Sequence, residues 1–280
     1  MRIHSRVALT ICAAFALTTF GAQQPARADD TLATIKSRGK MVVGVKADYP
    51  PFGFLDGAHN VGIEIDVLHL VAKDLLGNPN AIEFVPVVSA NRFQYLNTEK
   101  VDFLMATVTV TDARKKVVEF AAPDMKSGSG IMIKRSNQEI HDAPDLAGKT
   151  VVVVPGSTGE AWMKKSNPTA KLLVLPQTAE ALSAVSGGRA DAFVQDSALL
   201  IGLEATLQGS LFKVVGKDYE PAPAAATCRK GDTAMCDAIT KVLVKAQKTP
   251  CPDISGNKTM TCLKAIYHKW IPSDPERFMP

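Results

Sequence analysis

The sequence predicts an α/β protein of two lobes, and three observations carry that prediction. Short runs rich in Val and Ile alternate with amphipathic stretches at helical spacing. This alternation runs once through residues 41–110 and starts again at 151. Extended, glycine-loosened stretches join the two sets, so the chain passes from one β/α unit to another and back. Each set should build a mostly parallel sheet flanked by helices, with a cleft between the two.

The elements follow in order. "TLATIKSRGK" (31–40) reads as a helix and "MVVGV" (41–45) as a buried strand, with a loop at "YPPFGF" (49–54). "IEIDVLHLVAKDLLG" (63–77) is an amphipathic helix with Gly77 placed as its stop. "AIEFVPV" (81–87) is a strand, "NRFQYLNTEK" (91–100) a short helix and "VDFLMATVTV" (101–110) a further strand, read from its period-two alternation. "SGSGIMIKR" (127–135) crosses to the second set, and "DAPDLAGKT" (142–150) gives a turn and short helix. There "VVVV" (151–154) is a fully buried strand and "PGSTGEAWMKK" (155–165) a loop that opens a helix. Strands at 171–175 and 191–195 alternate with helices at 178–188 and 197–207. Extended runs at 212–216 and 222–228 lead back, and a helix at 234–247 begins the C-terminal part.

Composition restricts the function. The 280 residues are 46% hydrophobic and 21% charged, in keeping with one or two compact domains. Residues 1–28 have the form of an export signal. Arg2 and Arg6 precede the apolar run "VALTICAAFALTTF" (7–20), and "ARA" (26–28) offers a cut after Ala28. That cut removes three arginines and no acid, so the formal net charge falls from +4 to +1. A near-neutral surface without a Lys/Arg run argues against nucleic acid or acidic lipid as partner. No later stretch is long and apolar enough to span a bilayer.

With Cys12 in the signal, Cys228, Cys236, Cys251 and Cys262 remain. In an oxidising compartment four cysteines make two disulfides, with three possible pairings. The local pairs 228–236 and 251–262 are favoured because each closes a short loop. Zinc is the competing reading, but no His stands at ligand spacing, so no metal is expected.

Ligands of open α/β sheets sit beyond the carboxyl ends of the strands, often at helix N-termini. In the first set that place holds "MATVTVTDARKK" (105–116), with Thr107, Thr109 and Thr111 followed by Arg114. A guanidinium grips a carboxylate through two parallel hydrogen bonds, and hydroxyls add to them. In the second set Gly156, Ser157 and Thr158 lie between a buried strand and a helix. That position aims free N–H groups and the helix dipole at an anion, ordinary capping being the plain alternative. Asp196 follows another strand, where it either caps the next helix or holds an ammonium. Together these residues describe a seat for a zwitterion, the α-carboxylate and α-amino group of an amino acid.

At this point the sequence resembles the periplasmic solute-binding proteins of ABC importers for polar amino acids, extracellular solute-binding protein family 3. The matching segments are "GVKADYPPFGF", "GIEIDVLHLVAKDLLG", "NRFQYLNTEKVDFLMATVTVTDARKKVVEF", "GKTVVVVPGSTGE", "GGRADAFVQDSALL" and "AIYHKW". They cover nearly all of 31–271. The resemblance implies a type II periplasmic-binding-protein fold, with lobe 1 formed by 29–132 plus 229–280 and lobe 2 by 133–228. It implies no cofactor and no catalysis, a periplasmic monomer, an amino-acid ligand and an inner-membrane ABC permease as partner. It implies that Arg114 grips the α-carboxylate with Thr109 and with Ser157 or Thr158. Thr107 would contribute its backbone, Asp196 would take the α-amino group, and Tyr49 and Phe52 would wall the pocket.

Lys46 and Arg92 match positions that face the ligand's side chain in the aspartate/glutamate-binding branch. Two extra cations need an acid to neutralise them, so aspartate or glutamate is the expected ligand, with a basic or neutral amino acid as the alternative. Asp124 stands where the family usually has Tyr, which speaks against an acidic ligand. The tail 249–280 is longer than the family needs. The rival class is a periplasmic dehydratase-like enzyme of the same fold, with Asp124 or Glu160 for acid–base work, but no nucleophile–base pair, metal motif or nucleotide-binding glycine pattern accompanies them.

Overall fold

The computed structural model describes residues 31–205, 210–251, 256, 260–272 and 274–280. The export signal expected at 1–28 lies outside them, and among the described residues no helix is long and apolar enough to cross a membrane.

In chain order the elements are α1 (Thr31–Arg38), β1 (Met41–Val45), β2 (Asp48–Tyr49), β3 (Gly53–Asp56), β4 (His59–Val61), α2 (Ile63–Leu76), β5 (Ile82–Pro86), α3 (Arg92–Asn97), β6 (Phe103–Met105), α4 (Asp112–Lys115) and β7 (Val118–Lys134). Then come β8 (Thr150–Val153), α5 (Thr158–Ser166), β9 (Lys171–Val174), α6 (Thr178–Ser186), β10 (Ala192–Asp196), α7 (Ser197–Ala205), β11 (Phe212–Arg229), α8 (Thr233–Ala246), β12 (Pro250–Cys251), β13 (Met260–Thr261) and α9 (Cys262–Trp270). Gly77 ends α2 at φ 73°, its N–H on the Lys73 carbonyl, as its placement in the sequence predicts.

One eight-stranded sheet runs β5-β1-β6-β11-β7-β10-β8-β9. β1 pairs parallel with β5 and β6 at one end, and β8 pairs parallel with β9 and β10 at the other. The antiparallel pair β7 and β11 passes between them. Both are far longer than the crossing strands read from the sequence, and they change cores along their length. Met125, Ala224, Ala226 and Cys228 pack with α2 and α8 in the first core, whereas Ile131, Met132, Phe212 and Val215 pack in the second. The β11 stretch around Ala224 to Cys228 thus belongs with the first lobe's core, and a second-lobe limit at 228 overshoots the crossing. The β7–β11 register shifts repeatedly between Val215 and Thr227. One shift sets Met125 opposite Ala224 and Pro123 opposite Ala225, which leaves Asp124 as the extra residue of a bulge.

The C-terminal part closes on the first lobe. Disulfides join Cys228 to Cys236 and Cys251 to Cys262. Tyr267 on α9 donates its hydroxyl to the Asp124 carbonyl, and the Trp270 indole N–H bonds Asp66 on α2 at 2.7 Å. The Lys126 N–H reaches the Phe278 carbonyl at 2.7 Å, and the Phe278 ring meets Phe52 edge-on at 6.0 Å.

The reading of 101–110 as one strand needs correction. β6 ends at Met105, and Thr107 takes a left-handed backbone with φ 48°. Side chains replace the ladder here. Glu64 Oε1 accepts the Thr107 N–H at 2.7 Å, and Arg92 Nη1 donates to the Ala106 carbonyl at 2.7 Å and the Thr107 carbonyl at 3.2 Å. Alternation in the sequence reports faces, and it cannot report that buried charges have taken over the backbone partners.

Candidate ligand-binding cleft

Arg114 is set by a short helix. The Thr111 hydroxyl caps α4 by accepting the Arg114 N–H at 3.2 Å, which turns the guanidinium back over the strand end. Nη1 donates to the Thr109 carbonyl at 2.8 Å, and Nη2 crosses the cleft to the Gly156 carbonyl at 3.1 Å. Burial, helped by the neighbouring Arg92 charge, lowers its pKa to about 10, so it stays cationic at neutral pH. Opposite it Gly156 holds φ 77°, and a Cβ there would stand 2.9 Å from the Ser89 carbonyl oxygen. The lobes meet this closely only because that residue has no side chain.

Asp196, the last residue of β10, is 6% exposed. Its Oδ1 accepts from Thr109 at 3.4 Å and from Thr158 at 3.2 Å, one hydroxyl from each side of the cleft. Burial raises its pKa, and the Arg92 and Arg114 charges oppose that rise. Ser157 is committed locally: it N-caps α5, its hydroxyl accepting the Glu160 N–H at 3.1 Å. Of the two hydroxyls read as an anion seat, Thr158 therefore faces Asp196 and Ser157 shapes the helix. Glu160 is spent on the Gly156 N–H at 2.8 Å and on Lys164 at 2.7 Å.

Both cations read as facing a ligand's side chain are buried, and each has a companion that the sequence reading did not name. Lys46, fully buried, lies over the Tyr49 ring at 4.2 Å. Its Nζ forms an ion pair with Asp48 Oδ1 at 3.3 Å and makes no directed hydrogen bond among the described residues. Burial lowers the Lys46 pKa, and Asp48 holds it up. Asp48 Oδ2 also takes the Thr178 N–H at 3.1 Å and the Thr178 hydroxyl at 3.2 Å, tying β2 to the first turn of α6. Arg92, 2% exposed, spends Nη1 on the loop carbonyls and leaves Nε without a partner among the described residues. Glu64 faces Arg92 and Lys46 electrostatically.

Tyr49 and Phe52 divide between the two cores. Tyr49 packs with Met132, Phe193 and Leu199 of the second lobe, whereas Phe52 packs in the first. Asp124 stands apart from the cations. It is 4% exposed, neither carboxylate oxygen has a partner among the described residues, and burial beside Glu64 pushes its pKa well above the usual carboxylate range.

A cleft between two β/α lobes, closed by bonds from each side and lined with balanced buried charges, defines a protein that captures a small polar solute. The chain belongs to the bacterial extracellular solute-binding proteins, family 3, whose model matches residues 41–252. It is 31% identical over 249 residues to the ABC transporter glutamine-binding protein GlnH of Bacillus subtilis, covering 88% of this chain and 86% of that one. It is 33% identical over 214 residues to the glutamine-binding protein of Geobacillus stearothermophilus, covering 75% and 80%. Among solved structures it is similar to the solute receptor for L-cysteine of Neisseria gonorrhoeae, with a TM-score of 0.79 and 32% identity over 89% of this chain and 99% of that one.

Proposed function

We propose that the protein captures an L-amino acid with an uncharged polar side chain, glutamine-like in size, for an inner-membrane ABC permease. In this reading it is a periplasmic monomer freed from its export signal after Ala28. Arg114 and Thr109 receive the α-carboxylate, with the Thr107 backbone beside them. Asp196 takes the α-ammonium, and Thr158 shares that carboxylate. Tyr49 and Phe52 enclose the ligand's stem. The lobes swing where β7 and β11 change cores, near 126–130 and 216–223. Closure is favoured by ligand because half of its bonds come from each lobe.

The observation that carries the choice of side chain is the pairing of Lys46 with Asp48 at 3.3 Å. The acid expected to neutralise the extra cations need not come from a ligand: Asp48 answers Lys46, and Glu64 answers Arg92. Once Arg114 and Asp196 hold the zwitterion, the remaining charges cancel, and an uncharged side chain keeps that balance. Lys46 Nζ still lacks a directed hydrogen bond, and a side-chain amide oxygen supplies the acceptor. Two relatives named for glutamine support the same reading. An acidic amino acid is the second reading, favoured by the same orphan Nζ.

The test is a melting scan of the mature protein, refolded free of co-purified ligand, against each amino acid separately. A true ligand at one hundred times its Kd adds about 2.7 kcal/mol. Glutamine should give the largest shift. A shift with lysine or arginine alone would contradict the assignment.

A further inference from the structure

Glu64 opens α2 beneath the cleft and is 4% exposed. Its Oε1 is engaged by the Thr107 N–H at 2.7 Å, while Oε2 has no hydrogen-bond partner among the described residues. The charged and titratable groups around it come from four elements and one strand end: Arg92 on α3, Asp196 on β10, Asp124 on β7, Tyr267 on α9 and Lys46 just past β1. The Tyr267 hydroxyl is spent on the Asp124 carbonyl, and burial keeps the phenol neutral. Asp124 carries two unpartnered oxygens on a bulge of β7. Two buried carboxyls so close do not both ionise, and Asp124 is the one held neutral, by burial and by the Glu64 charge. That leaves Glu64 to change charge near neutrality: burial lifts its pKa to about 7 against the pull of the Thr107 N–H, Arg92 and Lys46.

We propose that Glu64 is a specificity-determining residue of the cleft, matching its own charge to the charge of the ligand's side chain. Ionised, it completes three carboxylates (Asp48, Glu64, Asp196) against three cations (Lys46, Arg92, Arg114), and the cleft takes an uncharged side chain. With one proton taken from solvent onto Glu64, one cation is in excess, and the cleft takes an acidic side chain beside Lys46. The inference rests on the amino-acid reading of the site and deepens it: above neutrality glutamine binds with no proton change and glutamate together with a proton, whereas below neutrality glutamine binds with release of a proton and glutamate with none.

The experiment is calorimetric titration of the mature, ligand-free protein with L-glutamine and L-glutamate at pH 6, 7 and 8, in buffers of different ionisation enthalpy. Glutamate should take up close to one proton at pH 8 and glutamine none. Glutamate affinity should fall about tenfold per pH unit above neutrality. Glu64→Gln should bind glutamate without proton uptake and without that pH dependence, a change that Lys46 titration would not produce. If the variant does not fold, the proton count on the unmodified protein still decides. Glutamate bound at pH 8 without proton uptake overturns the proposal, as does failure to bind glutamate at pH 6 in protein that binds glutamine. If no amino acid binds, the reading of the site fails and takes this proposal with it.

Discussion

Asp48 divides its carboxylate between two lobes: Oδ1 lies 3.3 Å from the buried Lys46 Nζ, and Oδ2 accepts from the backbone and hydroxyl of Thr178 at 3.1 and 3.2 Å. One side chain thus neutralises a pocket cation and holds the cleft shut. Asp48→Asn keeps an acceptor for Thr178 but withdraws the charge from Lys46. The ratio of glutamate to glutamine affinity should then rise at least about tenfold, since an uncompensated buried charge is worth more than 1.4 kcal/mol. Competition binding with the two amino acids reads it directly, and an unchanged ratio would detach Lys46 from the ligand.

Gly202 tests whether the closed arrangement is the binding one. A Cβ on this α7 residue would stand 2.4 Å from Pro51 Cδ and 3.3 Å from the Pro50 carbonyl oxygen, in the loop of the other lobe. Gly202→Ala should leave the ligand-free protein as stable or slightly more so, because Ala favours a helix over Gly by about 0.5–1 kcal/mol. Ligand affinity should nevertheless drop at least about tenfold, with scattering showing lobes held apart at saturating ligand. A variant that binds normally would place the contact outside closure.

How much of this was legible in the sequence differs by element. The two β/α sets, the helix stop at Gly77 and the local cysteine pairs follow from periodicity, turn chemistry and loop length, all local signals. Arg114, Thr109, Thr158 and Asp196 meet at the cleft because each lies at the end of a strand or in the segment that follows one, where topology concentrates ligands. Alternation cannot show that the strand at 101–110 breaks at 106–107, where Glu64 and Arg92, 43 and 14–15 positions away, take the backbone partners before 108–110 rejoin β11. Asp48 and Glu64 went unnamed for the same reason. An acid in a loop and an acid at a helix start look solvated until the fold buries them beside Lys46 and Arg92. Ser157 was half legible, because capping and anion binding ask for the same residue at the same place.

Asp124 makes stability depend on pH. Its folded-state pKa lies well above the ordinary carboxylate value, so the folded protein keeps a proton that the unfolded chain releases. Unfolding then liberates that proton, and stability falls as pH rises above the unfolded value. Glu64 adds to this between the ordinary glutamate value of 4.5 and about 7. Urea unfolding of the ligand-free protein should show lower stability at pH 8 than at pH 5. Asp124→Asn should remove a large part of the difference, roughly 1.4 kcal/mol for each pH unit of retained proton. A variant with an unaltered pH slope would mean that Asp124 ionises freely.

The Cys228–Cys236 bridge ties the end of β11 to the first turn of α8, and both residues are buried in the first core. Replacing both cysteines by Ala should cost about 2–4 kcal/mol, read as a lower urea midpoint. Ligand affinity should be unchanged, because both cysteines are buried in the first core and neither takes part in the hydrogen bonds of the cleft. Loss of affinity at full folding would connect the bridge to the cleft.

Direct calorimetry on the Arg114 variants tests the assignment of Arg114 to the α-carboxylate of an amino acid. Arg114→Ala should weaken binding by a hundredfold or more, the cost of roughly 3–5 kcal/mol for stranding one member of a buried ion pair. Arg114→Lys should recover part of the loss, because it restores the charge without the planar two-pronged donor. Affinity should follow the order Arg above Lys above Ala for every amino acid that the protein accepts. Binding by Arg114→Ala within a few-fold of the unmodified protein would contradict it.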